Sequence, residues 1–238
     1  MQEEMVVSCV HQQLRGIDLI GGSAADGVRF GAAHLYVNGQ FRQGVALLTL
    51  VRTELPFLAF RTQHFVHSDK RMVVTKADTA RRIVYEINGR PAAHEFARLV
   101  GVGITELTTL VFAAHPVVVR IGGETFVRSI GKVNDDESLQ FFCAIDEGIV
   151  LTTARGMDLA QNLRESFEHV REVLGPPQLV LGCDCVLRRL ECDRESLRDE
   201  VGRIFADNNV IGFAAYGEQF NAMHVNQTFT GIAIGARS

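Results

Sequence analysis

The chain predicts an α+β fold, an extended and mainly antiparallel sheet covered by a few helices, and three observations carry that expectation. Turn dipeptides, Asn38-Gly39, Asn88-Gly89 and Gly122-Gly123, stand between short runs of strand-forming residues and mark hairpins, which pair strands antiparallel. Helical spacing of apolar side chains is confined to a few stretches, of which residues 158–174 are the longest. Two apolar runs near the C-terminus, residues 210–215 and 229–235, contain or end on glycine and read as buried strands.

Taken in order, residues 3–14 place Met5, Val6, Cys9, Val10 and Leu14 close to helical spacing, with Gly16 as a stop. Residues 17–20 form a brief strand that runs into a tight turn around Gly21-Gly22-Ser23-Ala24, and residues 35–37 with 45–48 flank the Asn38-Gly39 turn. One helix, one strand and one hairpin are too little for an independent domain, so this block packs on the rest of the chain. Thr53-Glu54-Leu55-Pro56 marks a boundary, because proline bars its predecessor from helix and interrupts pairing. Strands come next at residues 72–75 and 82–87, and Pro91 opens a helix that runs to Val100 and is capped by Gly101. Strand signals resume at 117–121, 125–130, 139–144 and 149–153, with Asp146-Glu147 in a solvated turn. The helix over 158–174 buries Leu159, Leu163, Phe167, Val170 and Leu174 on one face and stops at Gly175-Pro176-Pro177. A buried strand at 179–183 and a second amphipathic helix over about 194–205 lead to the closing strands.

Composition bounds the function classes. The 238 residues are 47 % hydrophobic and 22 % charged, as in an ordinary soluble protein, and no stretch approaches the ~18–20 apolar residues that span a membrane. The first residues, Met1-Gln2-Glu3-Glu4-Met5, are acidic where a secretory leader is basic, so a cytoplasmic location is expected. With 24 basic against 28 acidic residues there is no broad positive field to attract nucleic acid, and the pairs Arg81-Arg82 and Arg188-Arg189 read as solvated faces. Five cysteines are an odd number, which argues for reduced thiols. Cys183-Asp184-Cys185 with Cys192 lacks the second well-spaced pair of a zinc site, so core packing is the expectation and no metal is assigned.

The densest set of hydrogen-bonding side chains lies at residues 216–228, between the two apolar C-terminal runs. On a strand His224, Asn226 and Thr228 would share one face, and a neighbouring strand carrying Tyr216 and Glu218 would add a phenol and a carboxylate. Tyr216, Glu218, His224, Asn226 and Gln227 are therefore the candidate ligand-binding residues, for a small polar molecule. The alternatives are an enzyme, a hydrolase or lyase using His224 with Glu218 or Cys183, and a structural interaction module in which the same groups satisfy one another. His115, before Pro116 and after the apolar run 110–114, is a candidate axial haem ligand, while the histidines of His64-Phe65-Val66-His67 lie on opposite faces of a strand or loop.

The run from Val210-Ile211-Gly212-Phe213 through Tyr216-Gly217-Glu218 and His224-Val225-Asn226-Gln227-Thr228 to Ile232-Ala233-Ile234-Gly235 resembles the C-terminal FIST domain (F-box and intracellular signal transduction). The resemblance extends back through Cys183-Asp184-Cys185, residues 142–148 and Tyr85-Glu86-Ile87-Asn88-Gly89, so residues 53–238 are expected to be that domain. Leu19-Ile20-Gly21-Gly22-Ser23-Ala24 is similar to the end of the N-terminal FIST domain, which makes residues 1–52 its remnant and the chain either truncated or naturally short. The resemblance implies a cytoplasmic sensory module that binds a small ligand, such as an amino acid or related metabolite, and signals to a histidine kinase or a cyclic-di-nucleotide enzyme. The likeness at Asn88-Gly89-Arg90-Pro91 extends to nitric-oxide-sensing haemoproteins, for which His224, His115 and His64 compete as the haem ligand.

Overall fold

A computed structural model of the protein describes every residue except Met1, Arg15, Val28, Phe30 and Ser238. In chain order the elements are α1 (Glu3–Gln13), β1 (Ile20–Ala24), β2 (Leu35–Val37), β3 (Gln40–Arg42), β4 (Phe57–Thr62), β5 (Phe65–Asp78), β6 (Ile83–Ile87), β7 (Arg90–Pro91), α2 (Ala92–Val100), α3 (Thr109–Ala114), β8 (Val117–Ile121), β9 (Glu124–Arg128), β10 (Ile130–Val133), β11 (Leu139–Phe141) and β12 (Val150–Gly156). They continue with α4 (Leu159–Leu174), β13 (Leu179–Cys185), α5 (Val186–Arg194), α6 (Arg198–Asp207), β14 (Val210–Phe220), β15 (Met223–Val225) and β16 (Phe229–Ile234). The class is α+β with mostly antiparallel sheets, and no described helix is long and apolar enough to cross a membrane.

Two compact units divide the chain, one of Met1–Gln63, Ala160–Met223 and Thr228–Ser238, the other of His64–Leu159 and His224–Gln227. The first unit is built on a sheet of order β1-β14-β13-β16-β4, in which β13 and β14 run parallel and β1, β16 and β4 pair antiparallel. Its core is aromatic. The ring of Phe167, on α4, lies 5.7 Å from Phe60 and 6.1 Å from Phe229, and Phe205 stacks 5.0 Å from Phe229. The expected helix face is present, since Leu163, Phe167 and Val170 are all fully buried. The second unit holds a sheet of order β10-β11-β6-β5-β12-β8-β9, with Phe65, Val118, Val127 and Ala154 forming one buried cluster. There the Asn88-Gly89 turn has both residues at positive φ, 53° and 73°, which gives the primed hairpin twist, and Gly101 closes α2 in the left-handed region at φ 82°.

Several local expectations are corrected. The Asn38-Gly39 turn joins β2 to β3 at Gln40–Arg42; residues 45–48 form no strand. Gly21-Gly22 is no turn but the middle of β1, paired with Gln219 and Glu218. A side chain at Gly22 would lie 2.9 Å from the Ala215 Cβ and 3.0 Å from the Cys183 Cβ, so close packing of β1 on the sheet, and not a bend, requires this glycine. The strand at 72–75 is the middle of the 14-residue β5, and that at 139–144 stops at Phe141. Arg82 and Arg188 are buried instead of solvated: Arg82 Nη1 donates to the Phe142 carbonyl at 2.6 Å, and Arg188 Nε donates to Asp184 Oδ1 at 2.7 Å. The shared strand face expected for His224, Asn226 and Thr228 does not form, because β15 ends at Val225 and Gln227 adopts φ 51°, which breaks the alternation.

Candidate functional site

Within the first unit, the connection from β13 to β14 leaves a groove. A parallel pair cannot be joined by a hairpin, so the chain crosses over through α5 and α6, and these helices stand over the two strands. Between helices and strands lies a cavity of about 400 Å³. Its floor is Gly182 of β13 and Gly212 of β14, which are directly paired. A Cβ on Gly212 would fall 1.9 Å from the Gly182 carbonyl oxygen, so the backbones approach too closely for any side chain there. Val201, Phe205, Val210 and Phe229 form apolar walls, and a Cβ at Gly202, in the middle of α6, would meet no heavy atom within 4 Å.

The rim is charged and carries both signs. Asp193 holds Arg198 through two hydrogen bonds of 2.9 and 2.7 Å, an exposed pair of the kind worth ~0–1 kcal/mol. Asp184, at the end of β13, is mostly buried and pairs with the fully buried Arg188 one helical turn on. Arg189, the next residue of α5, is exposed and has no ion-pair partner among the described residues. Cys192 also lines the groove, but burial pushes its thiol up to about 11, and Cys183 beneath is pushed up to about 12 by burial and then by Glu218 and Asp184. Both thiols stay protonated near neutral pH, which suits them to packing and not to nucleophilic attack or metal binding. No group of three or more His, Cys, Asp or Glu with metal-binding geometry occurs among the described residues.

The five residues expected to line a ligand site fall in both units. In the first unit, Tyr216 hydrogen-bonds through its hydroxyl to the Asp26 carboxylate, and that bond holds Asp26 below the usual carboxylate range. Glu218 is fully buried; its Oε2 accepts from Thr228 Oγ1 at 2.7 Å and from the Thr228 amide at 3.3 Å. Burial raises its carboxyl well above the usual range, so Glu218 is neutral, and its Oε1 has no hydrogen-bond partner among the described residues. In the second unit, His224, Asn226 and Gln227 are buried, and Gln227 donates from Nε2 to the Ala113 carbonyl at 2.9 Å and accepts from Ser129 Oγ at 3.3 Å.

The three histidines named for haem also lie in the second unit. His64 and His224 are enclosed, His64 with its ring centroid 4.1 Å from that of Phe65. His115 is half-buried at the end of α3, whose other end is capped by Thr108 Oγ1 accepting from Val111. An axial ligand needs an open face toward the iron, and of the three His115 alone has one.

Sequence reasoning missed α5 and with it the groove. The residues 186–194 alternate apolar and charged side chains too irregularly to announce an amphipathic helix. A signal was nonetheless available: Gly182 and Gly212 each interrupt an apolar run at its centre, and Asp184 precedes Arg188 by the four residues that bring side chains together on a helix.

Comparison with known proteins finds two family models. The model of the FIST C domain matches residues 92–221, and the model of the FIST N domain matches residues 1–90. No curated protein and no solved structure matches the chain.

Proposed function

The chain belongs to the FIST family, whose domains are small-ligand sensory domains of signal transduction, and we propose that it senses a zwitterionic metabolite of amino-acid type in the groove between β13, β14, α5 and α6. The observation that carries this reading is the glycine-floored cavity. Its volume, about 400 Å³, sits at the lower end of the ~300–1,000 Å³ of ligand sites. An apolar wall with charges of both signs at the rim fits a molecule that has a carboxylate, an ammonium group and an apolar body. Arg189 supplies an uncommitted guanidinium for the carboxylate, and Asp193 accepts the ammonium once its weak exposed pair with Arg198 opens.

Occupancy of the groove bears directly on α6, which carries Val201 and Phe205 on one side and Arg198 at its start. A ligand that pulls Asp193 from Arg198 alters how α6 begins, and that change is what a signalling protein such as a histidine kinase would read. The haem reading remains tied to His115 and to the resemblance.

Calorimetric titration of the full chain with a panel of amino acids tests the site. Binding that is lost in both Arg189→Ala and Gly202→Leu, with circular dichroism unchanged, is the expected result. Binding that survives both variants and disappears in Glu218→Gln, or in His224→Ala with Asn226→Ala, would place the ligand elsewhere and refute the groove.

A further inference from the structure

Two apolar features of the first unit lack a covering. One is an open strand edge. β14 pairs with β13 along Val210–Ala215, and on its other side β1 pairs only with residues 215–220. Among the described residues nothing pairs with the second side of residues 210–214, and Ile211 and Phe213 are 59 % and 52 % exposed. Natural sheet edges are blunted by charge, proline or a covering element; Val210-Ile211-Gly212-Phe213-Ala214 has neither charge nor proline.

The other feature is an extended run with nothing against it. Residues 45–51, Val-Ala-Leu-Leu-Thr-Leu-Val, have no assigned secondary structure, and Val45, Leu47, Leu48, Leu50 and Val51 are all exposed. A near-continuous apolar run of this length is the signature of a strand covered on both faces, not of a surface loop. It is uncharged and proline-free, as the edge is.

We propose that two copies of this chain associate by exchange, each laying residues 45–51 as an added β-strand along residues 210–214 of the other. The occupant is a second copy because the segment and the edge each lack what the other offers, and because the segment leads into β4, the border strand opposite the β14 edge. Three strands, β14, β13 and β16, precede β4 in the sheet, so in its own chain the segment leaves from the far side. The lengths match: the five-residue edge and the seven-residue run allow a full ladder with one residue to spare at each end. Counting residues 43–55 and 210–214 with Phe57 and Leu181, each copy contributes about twenty residues, the lower end of the ~20–30 a side found in standard interfaces. Reciprocal exchange also closes the assembly at two copies, with no edge left to propagate. This interface does not depend on the ligand groove being occupied.

Sedimentation velocity of the full chain at micromolar concentration reads the result as mass. The expected species has twice the 26.3 kDa of one chain. An edge variant, Ile211→Lys with Phe213→Lys, and a segment variant, Leu48→Pro with Leu50→Lys, should each run as monomers, with circular dichroism showing that the fold is kept. Leu48 and Leu50 are exposed and lie outside every helix and strand, so the segment variant is the safeguard against misfolding. Mixing the two variants should restore a heterodimer, since the intact segment of one meets the intact edge of the other. A monomeric wild type, an open-ended aggregate, or a dimer that neither variant weakens would overturn the proposal, and so would failure of the mixture to associate.

Discussion

Replacing Glu218 by glutamine should stabilise the protein at neutral pH, and the gain should grow with pH. In the folded chain the carboxyl is enclosed, accepts two hydrogen bonds from Thr228 and is raised well above its usual value of 4.5, burial being the main cause and the Asp184 charge a further one, with the Arg188 cation opposing. In the unfolded chain it titrates near 4.5. Linkage sets the sign: below about pH 4.5 both states hold the proton and folding is unaffected, whereas above it the unfolded state releases a proton that the folded state keeps. Stability supplied by the raised group is therefore fully present in acid and is lost as pH rises, by about 1.4 kcal/mol per pH unit until Glu218 itself ionises. Glutamine keeps a carbonyl oxygen for Thr228 and cannot ionise. Urea unfolding of wild type and Glu218→Gln from pH 4 to pH 8 should give curves that coincide in acid and diverge upward of about pH 4.5, glutamine being the more stable. Parallel curves across the whole range would show that Glu218 is not held neutral, and the account of this carboxyl would fail.

Asp184→Ala should cost about 3 kcal/mol in urea unfolding, the low end for stripping the partner from a buried ion, since Arg188 is fully buried while Asp184 retains some solvent contact; Arg188→Met together with Asp184→Ala should recover much of that loss. Gly202→Ala should raise stability by about 0.5–1 kcal/mol, because it removes a mid-helix glycine and the new methyl group meets no heavy atom within 4 Å, while weakening metabolite binding as the groove narrows; melting and calorimetry report the two effects separately. The haem expectation commits His115: reconstitution with haem should give a Soret band that moves with nitric oxide and disappears in His115→Ala, and a featureless spectrum removes it.

Much of the fold was legible because its signals are local. Asn88-Gly89 and Gly122-Gly123 sit at positive φ in two-residue hairpins, and only residues tolerant of that region fill such turns. The α4 face was readable because its spacing repeats over 16 residues. The Asn38-Gly39 hairpin was half-read: the turn is right, but apolar content drew the returning strand to residues 45–48, when Gln40–Arg42, polar and exposed, takes the pairing. Register in a two-stranded hairpin is fixed by the turn, not by hydrophobicity. Tertiary context decided the rest. Arg188 reads as a solvated residue in any window of sequence and becomes fully buried only because Asp184, at the end of β13, meets it across the first turn of α5.

The same context explains why polarity pointed to residues 216–228 while the groove lies with Gly182 and Gly212. A polar side chain is visible in sequence whether it faces a ligand or a neighbouring protein group, and Gln227, bonded to Ser129 and Ala113, is of the second kind. A cavity is a property of what is missing. It arises here because a parallel pair demands a crossover, the crossover lifts α5 and α6 over the strands, and glycines at paired positions keep the floor bare. Filling that floor is therefore a more searching change than removing any one polar group: at Gly212 the added methyl would fall 1.9 Å from the Gly182 carbonyl oxygen and force β13 and β14 apart. Gly212→Ala should accordingly lower stability toward the upper end of the ~1–3 kcal/mol typical of overpacking, and a variant as stable as wild type in urea would mean that the two backbones do not approach as described.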